Sequence, residues 1–256
     1  MLKFVVVILA LPAVMLPVAT FGYVLVRGWA GMTEAYGLMD QVTGSLLLAG
    51  LACALSLPVS LGMAVWLCIH GKRAGSSWLL QLQLLHGIPP LVYGLCGMVL
   101  LVQWLHWGVS LMAGAIVLAV VVLPQMTLNY LAALQRIPKE WTEAARSLGL
   151  GTAQVVLRVW LPGAWRGLVT GLLLSLARTL AETAPILFTA AVFSGVGWPG
   201  SLLSPVTTLQ THIFYLAQEG IDDRAIDTAW SAVSVLVLLV LVGSLIAQWL
   251  RARSLR

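Results

Sequence analysis

Two opposite charges, Arg178 and Glu182, lie four residues apart inside a long apolar stretch of this 256-residue chain. Each of them costs on the order of 2.5–3.5 kcal/mol when it is placed at the centre of a bilayer. The i, i+4 spacing puts both side chains on one face of a helix, where they can form an ion pair. Pairing offsets the cost only in part, and an apolar pair would be cheaper. The two residues therefore indicate a functional site.

Small and hydroxyl residues share the helix face of this pair. At 100° per residue, Gly171 and Ser175 fall on the same side as Arg178. Because small residues allow another helix to approach closely, we expect this face to look inward, at a partner helix or a pathway. Arg178 would supply the positive site for a passing anion, with Glu182 positioning it. Ser175 and Thr183 would line the same substrate pathway. The alternative is a locked ion pair that only holds the helix to its neighbours.

The composition shows that lipid must surround these helices. The chain is 60% hydrophobic and 9% charged, whereas a soluble domain has roughly 25% charged residues. Six stretches are long enough to cross a bilayer, which takes about 20 apolar residues: 4–26, 43–69, 79–104, 110–132, 166–193 and 229–250. They do not alternate in polarity, and lipid requires each backbone group to be bonded within its segment. We predict one all-α domain over residues 1–256, a polytopic membrane protein with six transmembrane helices.

The positive charges lie mainly on one side of the predicted spans, although the net charge of +5 could suggest nucleic acid. Eleven of the 14 lysines and arginines fall there: Lys3, Lys72, Arg73, Arg136, Lys139, Arg146, Arg158, Arg166, Arg251, Arg253 and Arg256. Because Lys and Arg are enriched in cytoplasmic loops, both termini are predicted to be cytoplasmic and residues 194–228 to form a periplasmic loop. The positive charges are explained by the orientation of the chain in the membrane, so nucleic acid is not an expected partner.

The first span has a second interpretation. Lys3 precedes an apolar run, as in a secretory signal peptide. The run is long and lacks a clear cleavage site before Arg27, so we expect it to remain as a span. Its removal would leave the other five spans in place.

Other residue types that carry chemistry do not cluster. Cys53, Cys68 and Cys96 lie in predicted spans without metal-ligand spacing, and the four histidines lie on different segments without an HExxH pattern. We therefore expect no metal, no cofactor and no catalytic residue. The chain also lacks a G-x-x-x-x-G-K-S/T phosphate-binding loop of the kind that holds a nucleotide.

The predicted inner loop, residues 133–165, is long and polar for so compact a membrane protein. Pro138 and Glu140 are typical of a helix start, and Gly149 supplies a stop. A second helical stretch should run from Gln154 to Leu161. We expect a short helix, a glycine break and a second helix, forming a rigid protrusion rather than a tether.

This loop resembles the EAA signature of ABC-importer permeases. Glu143-Ala144-Ala145, three residues, Gly149, nine residues and then Val159-Trp160-Leu161-Pro162 keep the spacing of that signature. The resemblance implies the type I ABC importer permease (MetI-like) fold, with the short helix as a coupling helix in a cleft of an ATP-hydrolysing subunit. The implied ATPase-coupling residues are Glu143, Ala144, Ala145, Arg146, Gly149, Leu161 and Pro162.

Two further stretches resemble phosphate importer permeases. Residues 176–185, Leu-Ala-Arg-Thr-Leu-Ala-Glu-Thr-Ala-Pro, are similar to that family's segment around G-R-A-x-G-E-T-A-P. Residues 86–94, His-Gly-Ile-Pro-Pro-Leu-Val-Tyr-Gly, are similar to its S-G-V-P-S-I-V-Y-G stretch. The chain departs from the family's usual residues at Ala177, Ala181, His86, Pro90, Asn129 and Tyr130. The resemblance implies inorganic phosphate as the transported substrate.

Phosphate would give the charged pair a selective role. Glu182 would accept a hydrogen bond from a protonated phosphate, which fully ionised sulfate cannot donate. The alternative substrate is another oxyanion, molybdate or sulfate. The alternative class is an ion channel or secondary transporter, which would not need the rigid inner loop. A membrane enzyme would need a nucleophile and a base in facing spans.

The resemblance also implies partners. These are a cytoplasmic ATP-binding subunit, expected as a dimer, a second homologous permease, and an external or periplasmic phosphate-binding protein that docks on residues 194–228. Membrane lipid surrounds the helices. The chain itself would be a transport subunit, not an enzyme, in the bacterial cytoplasmic (inner) membrane.

Overall fold

The computed structural model describes residues 2–29, 37–71, 75–192, 198–219 and 223–253. Within these ranges the chain forms eleven α-helices. They are α1 (Leu2–Trp29), α2 (Met39–His70), α3 (Gly75–Gly87), α4 (Pro90–Gly97), α5 (Leu111–Leu134), α6 (Lys139–Ser147), α7 (Thr152–Val155), α8 (Leu161–Ala181), α9 (Ala184–Thr189), α10 (Leu209–Glu219) and α11 (Asp223–Arg253). Two π-helical segments, Met98–Trp104 and Val156–Trp160, extend α4 and join α7 to α8.

The predicted all-α fold with six membrane-crossing helices is confirmed. Five helical runs among the described residues are long and apolar enough to cross a membrane: Leu11–Trp29, Met39–His70, Leu111–Leu134, Thr152–Ala181 and Asp223–Ala252. The sixth crossing is a bent pair, Ser77–Gly87 and Pro90–Trp104, whose axes differ by 83°. The third span is therefore broken near its middle rather than straight.

The fifth helical run differs in its bounds from the predicted span 166–193. It begins at Thr152, inside the predicted loop. The backbone N–H of Leu161 donates to the carbonyl of Val156 in the π turn before Pro162. The helix can therefore continue through the proline. It ends at Ala181. Pro185 has no N–H to donate to the carbonyl of Ala181, and in a continuous helix the proline ring would clash with that carbonyl.

Helices α2, α5 and α8 form the core. Leu48 clusters with the N-terminal part of α5 and Leu67 with its C-terminal part, so α2 and α5 run in the same direction. Helix α8 runs in the opposite direction, because Gly167 near its start lies against Ala133 near the end of α5. Alternating directions are what successive membrane crossings require.

Helix α1 packs on α11 at the edge of this core. Ser234 of α11 donates a hydrogen bond to the carbonyl of Val24 at 2.8 Å, and Tyr23 contacts Trp230 edge to face. Many of the other α1 side chains are exposed, including Leu16 and Val26. An apolar face of this kind suits contact with lipid.

One end of the bundle is basic. Helix α5 ends there and the run α7 to α8 begins there, and the arginines at this end are Arg136, Arg146, Arg158, Arg166 and Arg251. We call it the basic end. At the opposite end, the backbone N–H groups of Leu111 and Met112 at the start of α5 donate to carbonyls of the segment that precedes α10.

Candidate functional site

Three helices with proline-associated breaks or irregularities meet around Arg178. The third span breaks before Pro90, the fifth breaks before Pro185, and α5 carries Pro124 within its length. The two breaks pack directly on each other, because a Cβ added at Gly94 of α4 would lie 2.8 Å from the Cα of Pro185. This close approach requires glycine at position 94.

The side chain of Arg178 joins these three helices. Its Nη1 donates a hydrogen bond to Oε1 of Gln125 on α5 at 2.8 Å and lies 3.5 Å from Nε2 of His86 on α3. Its Nε lies 3.3 Å from Oε1 of Glu182. The Nε–H nevertheless has no hydrogen-bond partner among the described residues, so the ion pair is an electrostatic contact with one donor left free.

The ion pair is only partly buried. The side chain of Arg178 is 29% exposed and that of Glu182 is 17% exposed, and His86 beside them is exposed. The unpaired Nε is itself buried, so the guanidinium is reached through the exposed remainder of the side chain, and an accessible guanidinium can bind an acceptor ligand such as an oxyanion. A pair serving only to lock helices together would be expected to use all of its donors.

The other two predicted pathway residues lie differently. Ser175 is fully buried, and its hydroxyl has no hydrogen-bond partner among the described residues. Thr183 is half-buried and precedes α9, where its carbonyl accepts from the N–H groups of Ile186 and Leu187. Of the predicted set, only Arg178 and Glu182 form a contact through their side chains.

Glu182 is not on the helix face that its spacing predicted. It follows the last residue of α8 and has an extended backbone, with φ −81° and ψ 127°. Its carboxylate still reaches Arg178 because the break turns the chain only after Ala181. Glu182 therefore lies outside the helix, although its N–H still donates to the carbonyl of Thr179 at 3.2 Å.

Side chains satisfy the carbonyl groups that the breaks release. Gln210 of α10 donates to the carbonyl of Leu180, and its Oε1 accepts from the hydroxyl of Ser45 at 3.0 Å. The Ser45 hydroxyl in turn accepts from the N–H of Leu209. In the third span, the hydroxyl of Tyr93 donates to the carbonyl of Leu85 at 2.8 Å. Each break is thereby held by a side-chain hydrogen bond, which is buried at Leu180 and exposed at Leu85.

The EAA residues form a capped helix at the basic end. Gly149 has φ +81°. Its N–H donates to the carbonyl of Arg146, and the N–H of Leu150 donates to the carbonyl of Ala145. These two hydrogen bonds are the Schellman pattern of a helix end. Trp160 donates from Nε1 to the hydroxyl of Thr142 at 3.0 Å. Helix α6 is thus tied to the residue directly before α8 and forms a rigid elbow with the fifth helical run.

The predicted coupling residues divide by exposure. Glu143, Ala144, Arg146, Gly149 and Pro162 are exposed, whereas Ala145 is buried and Leu161 is half-buried. The exposed face of α6 also carries Trp141 and Leu148. An exposed helix with apolar side chains at its surface is suited to contact another protein.

Sequence reasoning missed Gln125 and Gln210. Gln125 follows Pro124 in a largely apolar span that carries one other amide, Asn129, and such amides could have been singled out as expensive polar groups. Gln210 lies among polar residues outside the predicted spans. No pattern in the sequence links it to Leu180.

Known proteins with this architecture are transport components. The family described as binding-protein-dependent transport system inner membrane component matches residues 56–256. The chain is 31% identical over 220 residues to the phosphate transport system permease protein PstA of Xylella fastidiosa, covering 85% of this chain and 76% of that protein. It is 27% identical over 260 residues to the probable ABC transporter permease protein YqgI of Bacillus subtilis, covering 91% and 88%.

The fold also matches a solved structure. The methionine ABC transporter MetNI, in an inward-facing conformation, superposes with a TM-score of 0.66 at 18% sequence identity, covering 85% of this chain and 98% of that one. The chain therefore belongs to the family of binding-protein-dependent transport system inner membrane components, and it is a membrane-spanning permease subunit of an ABC importer.

Proposed function

We propose that this permease translocates inorganic phosphate across the cytoplasmic membrane. The observation that carries the proposal is the partly exposed Arg178–Glu182 pair at the break of the fifth span, beside the exposed side chain of His86. The similarity to a phosphate transport permease supports the same substrate. Molybdate or sulfate remains the alternative cargo.

The Arg178–Glu182 pair distinguishes phosphate from sulfate by the protonation state of the anion. Arg178 donates hydrogen bonds to the anion, and planar guanidinium groups suit tetrahedral oxyanions. The Glu182 carboxylate accepts a hydrogen bond from the O–H of a protonated phosphate. Fully ionised sulfate has no O–H and meets only repulsion from the carboxylate. Gln125 and His86 hold the guanidinium in place between the broken helices.

Helix α6 connects the ATP-binding subunit mechanically to the Arg178–Glu182 pair. The exposed elbow acts as the coupling helix against a dimeric ATP-binding subunit, and its tie from Trp160 to Thr142 transmits motion into the fifth helical run. A second homologous permease completes the pathway, and a phosphate-binding protein docks on residues 194–228. In this arrangement both termini and the basic end face the cytoplasm.

Uptake of radiolabelled phosphate into vesicles tests the proposal. The vesicles contain this chain with its ATPase subunit, second permease and binding protein. We expect ATP-dependent uptake that unlabelled phosphate competes with and that excess sulfate or molybdate leaves unchanged. Competition by sulfate or molybdate at equal concentration would transfer the assignment to that oxyanion, and absence of ATP-dependent uptake of any of the three would refute it.

A further inference from the structure

A line of polar side chains continues from Arg178 toward the basic end along α5. Gln125 and Asn129, four residues apart, lie about 40° apart on a helix with 100° per residue. Gln125 already bonds Arg178. Arg136 lies in the turn just beyond Leu134, the last residue of α5, and lines one cavity together with Asn129.

Asn129 lies where α8 packs closely against α5, beside a small cavity. Gly171 of α8 faces it, and a Cβ added at that glycine would lie 3.1 Å from the Cβ of Asn129. A cavity of about 80 Å³ opens here, lined among others by Asn129, Arg136, Thr170 and Arg251. The small residues of α8 leave this space open on the polar side of α5.

The amide of Asn129 has an unused donor. Its Nδ2 is buried and has no hydrogen-bond partner among the described residues. An unpartnered buried donor costs free energy, so a purely structural role would favour an apolar side chain of the same size. Among the described residues no carboxylate lines the cavity, and two of the lining residues are arginines. The site is thus rich in donors and positive charge, which suits an oxyanion.

We propose that Asn129 and Arg136 form a second oxyanion site, which receives the anion from Arg178 and Gln125 and passes it toward the basic end. The proposal rests on the phosphate pathway proposed above. Four residues, about 6 Å along the helix axis, separate Gln125 from Asn129. Two weak sites in series allow the anion to leave the charged pair quickly, because a single site of high affinity would release it slowly.

Two substitutions of Asn129 test this site in the assembled transporter. Asn129→Asp keeps the shape and adds a negative charge, and we expect ATP-dependent phosphate uptake about tenfold or more lower, because like charges repel strongly in a partly buried site. Asn129→Leu removes the donors, and uptake should fall while the thermal unfolding temperature stays equal or rises, since an unsatisfied amide is lost. A structural role for the amide predicts a lower unfolding temperature instead.

Gln248→Glu is the matched control. It adds the same charge at an exposed position near the end of α11, outside the cavity, and uptake should match that of the wild type. Wild-type uptake by both Asn129 variants would overturn the second site and leave the proposed function intact. A wild-type complex that transports no phosphate would refute the proposed function itself. Stimulation of ATP hydrolysis by the binding protein should persist in both variants, because coupling is not affected.

Discussion

Arg178 is the residue that connects the local chemistry of this permease with its fold. It contacts Gln125 on α5, His86 on α3 and Glu182 beyond the end of α8. Only Glu182 is its neighbour in sequence. A residue with partners on three segments is held in one place, and a positioned cation is what recognition of an anion requires.

Replacing Arg178 should separate charge from geometry. Arg178→Ala should reduce phosphate uptake by roughly 10- to 100-fold, because a charge-assisted hydrogen bond contributes about 1.5–3 kcal/mol. Arg178→Lys keeps the charge but loses the planar fork, so uptake should be intermediate. Initial rates of radiolabelled phosphate uptake measure both effects.

The control for these variants is Arg27→Ala, which removes an exposed arginine of the peripheral helix α1. Its uptake should equal that of the wild type. Assembly with the partner subunits is checked by copurification. Assembled Arg178→Ala complexes with normal uptake would reduce the ion pair to a structural contact.

Among the elements, the breaks in the third and fifth spans matter most. Each carries a proline, each exposes a carbonyl, and each carbonyl accepts a hydrogen bond from a side chain: Tyr93 for Leu85 and Gln210 for Leu180. Broken helices are tolerated in membranes only where neighbouring groups satisfy the freed backbone. These side chains therefore make the site geometrically possible.

Gln210→Ala should destabilise the break of the fifth span. Gln210 is 3% exposed, and its loss leaves the Leu180 carbonyl and the Ser45 hydroxyl without that partner. Each buried unsatisfied group costs about 1–3 kcal/mol. Thermal unfolding of the purified chain in detergent should therefore begin at a clearly lower temperature than in the wild type.

Ser45→Ala provides the companion measurement for this network. Because both residues act in one hydrogen-bonded chain, the double variant should lose less stability than the sum of the two single variants. Gln83→Ala, at an exposed position on α3, should leave the unfolding temperature unchanged. Additive losses would mean that Ser45 and Gln210 act independently.

Gly149→Ala should weaken coupling through the elbow. The residue has φ +81°, and a non-glycine residue in this left-handed region costs roughly 1–2 kcal/mol. The end of α6 should then reorient, so that phosphate uptake falls several-fold relative to ATP hydrolysis. The ratio of phosphate transported to ATP hydrolysed measures this.

Gly151→Ala is the matched control for the elbow. Gly151 has an ordinary φ of −70°, and an added Cβ would approach only Oε1 of Gln154, at 4.0 Å. It should retain the wild-type ratio. An unchanged ratio in Gly149→Ala would show that the conformation of this turn is not needed for coupling.

For the whole molecule, the orientation in the membrane decides whether the elbow can meet an ATPase. Single cysteines at exposed Ser147 and Ser201, in a variant without the three native cysteines, report opposite sides. We expect a membrane-impermeant maleimide to label Ser201→Cys in cells with a permeabilised outer membrane. Ser147→Cys should react only after the inner membrane is opened. The reverse pattern would contradict the proposed orientation and the coupling role of α6.

The sequence by itself determined the class of molecule and its motifs. Apolar stretches long enough to span lipid can only be helices there, since backbone hydrogen bonds must close within each segment. The i, i+4 spacing of Arg178 and Glu182 predicted a contact that is local and needs no knowledge of the fold. The spacing of Glu143, Gly149 and Pro162 likewise indicated a permease.

Only the tertiary structure decided what surrounds those residues. The partners Gln125 and His86 of Arg178 lie 53 and 92 positions away, and local patterns carry no information about such separations. The break after Ala181 likewise depends on Gln210 supplying a donor from α10. Pro185 favours a break in the helix. The break is stabilised because the distant side chain of Gln210 donates a hydrogen bond to the released carbonyl of Leu180.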